Sequence, residues 1–114
     1  MDRVIVKPYS KDRFEVVEEF RYGLIEVPVG FKTNGANIPR VFWSLFPPNS
    51  PEYLSAVVLH DYMCAKIGVF TYKEADRVFY EAMIDIGVSK WKAKLFYKSC
   101  RIYHTVKSFL NKEL

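Results

Sequence analysis

The sequence predicts an α+β fold: a small N-terminal antiparallel β-sheet, an irregular loop, and three α-helices. Three observations predict it. Residues 1–30 hold short β-branched runs separated by turn-forming residues; residues 31–50 are rich in Gly, Asn and Pro without periodicity; residues 51–112 hold three segments with apolar side chains at three-and-four spacing. With 114 residues, 50% hydrophobic and 17% aromatic, the chain suits one domain over 1–114. A domain of that size buries roughly two-thirds of its unfolded surface.

Arg3-Val4-Ile5-Val6-Lys7 is the first expected strand, Pro8 to Asp12 is turn chemistry, and Phe14-Glu15-Val16-Val17-Glu18 resumes the extended backbone. Arg21-Tyr22-Gly23 forms the next expected turn before the strand Leu24 to Val29, where Pro28 suits an edge or a strand end. In GFKTNGANIPRVFWSLFPPNS, Gly35 between two asparagines permits positive φ and Pro39 can open a short helical turn, so successive backbone N–H groups can cradle an anion. The same stretch also suits a plain loop covering the end of the sheet.

Ser50 and Pro51 are expected to start the first helix, with Leu54, Val57, Val58 and the neighbours of Cys64 on its inner face and Gly68 at its end. Thr71 and Glu74 match a capping box for the second, whose inner stripe is Ala75, Val78, Phe79, Ala82, Met83 and Ile86, closed by Gly87. Ser89 caps the third. Its expected inner stripe is Leu95, Ser99, Ile102, Val106 and Phe109.

Composition narrows the function classes. Residues 1–89 carry 10 basic and 12 acidic side chains and residues 90–114 carry 7 and 1, so the net +4 belongs to the last helix. Such a helix attracts anions in general, and weak contact with an anionic membrane is one expectation. Nucleic acid is disfavoured because no recognition-helix motif or exposed aromatic series accompanies the charge. No apolar run approaches the roughly 20 residues that span a bilayer, and no signal segment is apparent, so a soluble protein is expected. Cys64 and Cys100 do not suggest a disulfide framework, and with His60 and His104 they lack the short paired spacing of a zinc module.

The chemistry concentrates in His60-Asp61, within YLSAVVLHDYMCAK, and in Asp76, within YKEADRVFYEAM. The connection from Ile67 to Thr71 is short enough to make the first two helices antiparallel neighbours. At about 1.5 Å of rise per residue, His60 and Asp76 are then offset by only about 3 Å along the axes. An imidazole held by a carboxylate has a fixed tautomer and can serve as a general base; the same pair can equally be a buried staple between helices. Asp61, about 100° around the helix, can bind a cation, position water or face solvent. No P-loop, dinucleotide glycine pattern, HExxH or nucleophile elbow is present.

The order of VPVGFKTNGANIPRVFWSLFPP, AVVLHDYMCAK and GVFTYKEADRVFYEAMIDIGVSKWKAKLFY resembles the phage and prophage family known as domain of unknown function 1353, over residues 27 to about 103. In that family the loop usually reads T-D-G-A-S-x-P and the helix H-D-Y-L-Y. This chain keeps His60, Asp61, Tyr62, Ala75, Asp76 and Phe79, with Asn34 and Asn37 where Asp and Ser are usual and Cys64 where Tyr is usual. The resemblance implies a viral accessory protein of the host cytoplasm or the virion. A weaker local resemblance is to phospholipases A2, in which a helical His-Asp pair is followed by an orienting aspartate. It implies His60 as base, Asp61 as a calcium ligand and Asp76 as the orienting residue.

The expected site is therefore His60, Asp76 and Asp61 for chemistry, with Thr33, Asn34, Gly35, Ala36, Asn37, Arg40 and Tyr62 around a ligand. Calcium is a candidate at Asp61, and no other cofactor is expected. The expected function is hydrolysis of a phosphate-containing substrate, either nucleotide or phospholipid. The alternatives are a non-catalytic binder of a small anionic host signal, or a virion, tail or lysis-module component with a structural His–Asp pair.

Overall fold

β-Branched and aromatic residues alternate in the first 33 residues, and they pair into two small antiparallel sheets. The structure, a computed structural model, describes residues 3–10, 13–33 and 53–113, with side chains to residue 110. β1 (Val6–Ser10), β2 (Arg13–Val16) and β5 (Lys32–Thr33) form one sheet in the order β1-β2-β5; β3 (Phe20–Tyr22) and β4 (Ile25–Val27) form a separate hairpin. In the register Val6 faces Val16 and Pro8 faces Phe14, with a bulge between Pro8 and Ser10. Phe14 pairs with Thr33.

Several expected boundaries move. Pro8 to Ser10 continue the first strand instead of turning, because β1 is an edge strand and needs no N–H from proline toward solvent. Arg21 and Tyr22 belong to β3, paired with Glu26 and Ile25; the turn is shifted to Gly23, at φ +61°, and the fully exposed Leu24. β5 falls within the stretch read as loop, and it places Thr33 against the helices.

α1 (Leu54–Ala65) is buried around most of its circumference, from Ser55 through Asp61 and again at Met63 and Cys64. It is the central element, with sheet residues on one side and α2 on the other. Its N-cap is Tyr53, without a side-chain cap, and not Ser50, which lies outside the described residues. The Ser55 hydroxyl instead accepts the Val4 N–H at 2.9 Å and ties the start of the chain to α1.

α2 (Tyr72–Asp85) begins with the expected capping box: Thr71 Oγ1 accepts the Glu74 N–H at 3.1 Å, and Glu74 Oε1 accepts the Thr71 N–H at 3.3 Å. α3 (Lys90–Glu113) follows Gly87, at φ +93°. One core joins Val16, Phe20 and Val27 to Val57, Val58 and Leu59 of α1, Phe79 and Met83 of α2, and Phe96 and Cys100 of α3.

The inner stripe of α3 differs from the expected one. Of that stripe Ser99 is buried and Leu95 packs against the core, but Ala93, Phe96, Cys100 and His104 carry the rest of the inner face, whereas Ile102, Val106 and Phe109 are 66%, 51% and 60% exposed. Weighting by hydrophobicity favours Ile, Val and Phe, but α2 presents Asp76 to α3, and a buried carboxylate draws the helix face that carries donors. Among the described residues no helix is long and apolar enough to cross a membrane.

Candidate functional site

The link between α1 and α2 doubles back through Gly68, at φ +111°, and brings His60 opposite Asp76 as the sequence spacing anticipates. His60 Nε2 lies 2.7 Å from Asp76 Oδ1. The other oxygen is held from α3: His104 Nδ1 stands 2.9 Å and Arg101 Nη1 3.0 Å from Oδ2. One carboxylate thus gathers donors from two helices. Asp76 and His60 are 0% exposed and His104 1%, so none of the three has bulk water as an alternative partner.

Electrostatics fixes the tautomers. Burial pushes the Asp76 carboxyl up, but hydrogen bonds from His104 and His60 outweigh it and hold the group at about 2. Asp76 is then a carboxylate at ordinary pH and can only accept. His60 Nε2–H and His104 Nδ1–H are then the donors, and in the neutral imidazoles the lone pairs fall on His60 Nδ1 and His104 Nε2. Neither atom has a hydrogen-bond partner among the described residues. Ring orientation is set by stacking: His60 lies over Phe79 with centroids 4.6 Å apart, and Tyr72 covers His104 at 4.3 Å.

Asp61 points the other way around α1. It is buried, not solvent-facing, and its Oδ2 accepts the hydroxyl hydrogen of Thr33. Tyr62 packs its ring edge-on against Phe31, centroids 5.3 Å apart, on the sheet side and away from Asp76. Thr33 and Tyr62 are therefore beside Asp61, not beside the His60–Asp76 bond. Asn34, Gly35, Ala36, Asn37 and Arg40 lie outside the described residues.

A calcium ion takes six to eight oxygen ligands. Beside Asp61 stands Thr33 Oγ1, which donates to Oδ2, and the loop residues expected to add further ligands lie outside the described residues. The His60 side is chemically different. Cys64 Sγ lies 3.7 Å from His60 Nε2, and Cys100 is a neighbour of His60 and Asp76. Neither cysteine is in a disulfide, and burial pushes both thiols far above their usual range, so neither is poised as a nucleophile.

Sequence reasoning missed Arg101, His104 and the two cysteines as parts of this cluster. Cys100 and His104, four apart and in phase with Phe96, were the available signal. Arg101 and His104 also wall a cleft of about 630 Å³ with Phe70, Tyr72, Lys73 and Phe109, so the buried network has an edge near solvent.

The chain is 41% identical over 78 residues to the uncharacterized protein y4jT of Sinorhizobium fredii (strain NBRC 101917 / NGR234), covering 68% of this chain and 23% of that protein. It is 42% identical over 67 residues to the uncharacterized protein y4iH of the same strain, covering 58% and 28%. The chain thus spans about a quarter of the length of these curated relatives. No solved structure matches the chain. Residues 11–100, which hold Thr33, His60, Asp61 and Asp76 but stop short of Arg101 and His104, match the family described as protein of unknown function (DUF1353), and to that family the chain belongs.

Proposed function

We propose that the chain is a hydrolase of a phosphate-containing substrate, with His60 Nδ1 as general base and Asp76 as the residue that positions it. One observation carries the reading: Asp76 accepts from His60 Nε2 at 2.7 Å, which forces the proton onto Nε2 and leaves the opposite nitrogen a lone pair with no partner among the described residues. A neutral imidazole so oriented can take a proton from water as that water attacks phosphorus or an ester carbon. His104 and Arg101 hold Asp76 from the far side, and neither needs to touch substrate. The anionic substrate class is supported by the basic last helix, where 7 basic residues face 1 acidic one over residues 90–114. An accessory role in a viral or prophage context is carried by the resemblance of the sequence motifs alone.

The test is a His60→Gln variant against a panel of phosphodiesters, nucleotides and phospholipid vesicles. The parent is expected to turn over one member, and the variant to lose on the order of a hundredfold or more while remaining folded. A folded variant with parental turnover would remove His60 as the base. A second reading, a staple without turnover, is favoured by the complete burial of His60 and Asp76. It predicts no turnover in either protein and a purely stability effect.

A further inference from the structure

We propose that His60, Cys64 and His104 form a binding site for a thiophilic divalent cation of the zinc type, with Asp76 beside it. The chain has only two histidines and two cysteines, one His–Cys pair on α1 and one on α3, and all four are buried around one carboxylate. Ligand atoms of His60, Cys64 and His104 all lie within 4.8 Å of one another. Asp76 already touches a ring nitrogen of each histidine, at 2.7 and 2.9 Å. Nitrogen and sulfur donors select zinc-like ions over the hard cations that Asp61 would need.

Distance and charge both favour this assignment. Zinc–sulfur and zinc–nitrogen bonds of about 2.3 and 2.05 Å at a tetrahedral angle set the two ligand atoms about 3.6 Å apart. Cys64 Sγ and His60 Nε2 stand 3.7 Å apart, one turn from each other on α1. Two neutral imidazoles and one thiolate leave a divalent ion one positive charge, which the neighbouring Asp76 carboxylate offsets in an apolar interior. Arg101 remains on the outer side of Asp76, where it is 28% exposed.

Binding releases one proton, from the Cys64 thiol, and moves the His60 proton from Nε2 to Nδ1, while His104 binds through Nε2 and keeps its Nδ1–H on Asp76. The loaded protein then lacks the free Nδ1 lone pair of the hydrolytic reading. The proposal does not rest on that reading, since binding is read without any substrate.

The experiment is a cobalt(II) titration of the reduced, chelator-stripped full chain, followed by displacement with zinc. A thiolate-to-cobalt charge-transfer band and strong tetrahedral visible absorption are expected at one equivalent. Cys64→Ser loses the charge-transfer band and on the order of tenfold or more in affinity, while Cys100→Ser keeps both. Circular dichroism and the urea midpoint verify that each variant is folded. Zinc should raise the melting temperature of the parent and not that of His104→Gln. Weak octahedral absorption in the parent, a spectrum unchanged in Cys64→Ser, or a band lost only in Cys100→Ser would each overturn the assigned ligand set.

Discussion

Replacing Asp76 by asparagine keeps the shape of the side chain and removes its charge, so it isolates what the carboxylate contributes. In the parent the group sits at about 2 against an ordinary value of 3.8. At 1.36 kcal/mol per pKa unit, that depression is worth about 2 kcal/mol of folding free energy. The bonding geometry gives a similar figure. Two buried imidazole donors lose a charged acceptor at about 1 kcal/mol each, while Arg101, 28% exposed, counts for little. The sign follows from the depression: the stabilisation is fully present above the unfolded value of 3.8 and is lost as pH falls through about 2. Urea unfolding of both proteins, followed by circular dichroism between pH 2 and 6, should show Asp76→Asn less stable by about 2 kcal/mol near pH 6, with the gap closing toward pH 2. A gap that stays constant across that range, or one below about 0.5 kcal/mol near pH 6, would refute the claim that the histidines hold an ionised Asp76.

Two further outcomes check the helices that build the site. Thr71→Ala removes the side chain that accepts the Glu74 N–H at 3.1 Å, and it should lower the urea-extrapolated stability by about 1 kcal/mol. Val106→Lys together with Phe109→Ser alters side chains that are 51% and 60% exposed; thermal unfolding should find the pair within about 0.5 kcal/mol of the parent, whereas a core stripe on that face would cost several-fold more.

The sequence made the helix pair and its central contact legible because both rest on local rules. The Thr71–Glu74 capping box and the short link at Gly68 fix where α2 starts, and rise per residue then sets His60 level with Asp76. The rotation of α3 is not a local property. Leu95, Ser99, Ile102, Val106 and Phe109 make a good apolar stripe on their own, yet the structure buries Ala93, Phe96, Cys100 and His104 because of what Asp76 presents from another helix. Thr33, expected in the ligand loop, lies in a strand at the sheet edge and donates to Asp61, a pairing only two residues long that leaves almost no periodic signal.

The donors around Asp76 also determine how function and fold can be separated. Oδ1 carries His60 alone, whereas Oδ2 carries both His104 and Arg101. Removing His60 therefore leaves the carboxylate with two donors and its charge compensated. Removing the charge of Asp76 instead leaves two buried imidazoles to find a new tautomer, and in Asp76→Asn the His60 nitrogen facing the amide N–H₂ becomes the acceptor, with the proton displaced to Nδ1. That exchange abolishes the base as surely as deleting His60, but at a larger cost in stability. Activity lost with a stability cost of about 1 kcal/mol is thus expected from His60→Gln, and activity lost with the larger cost of about 2 kcal/mol from Asp76→Asn; the reverse ranking would place the imidazole, not the carboxylate, at the structural centre of the three helices.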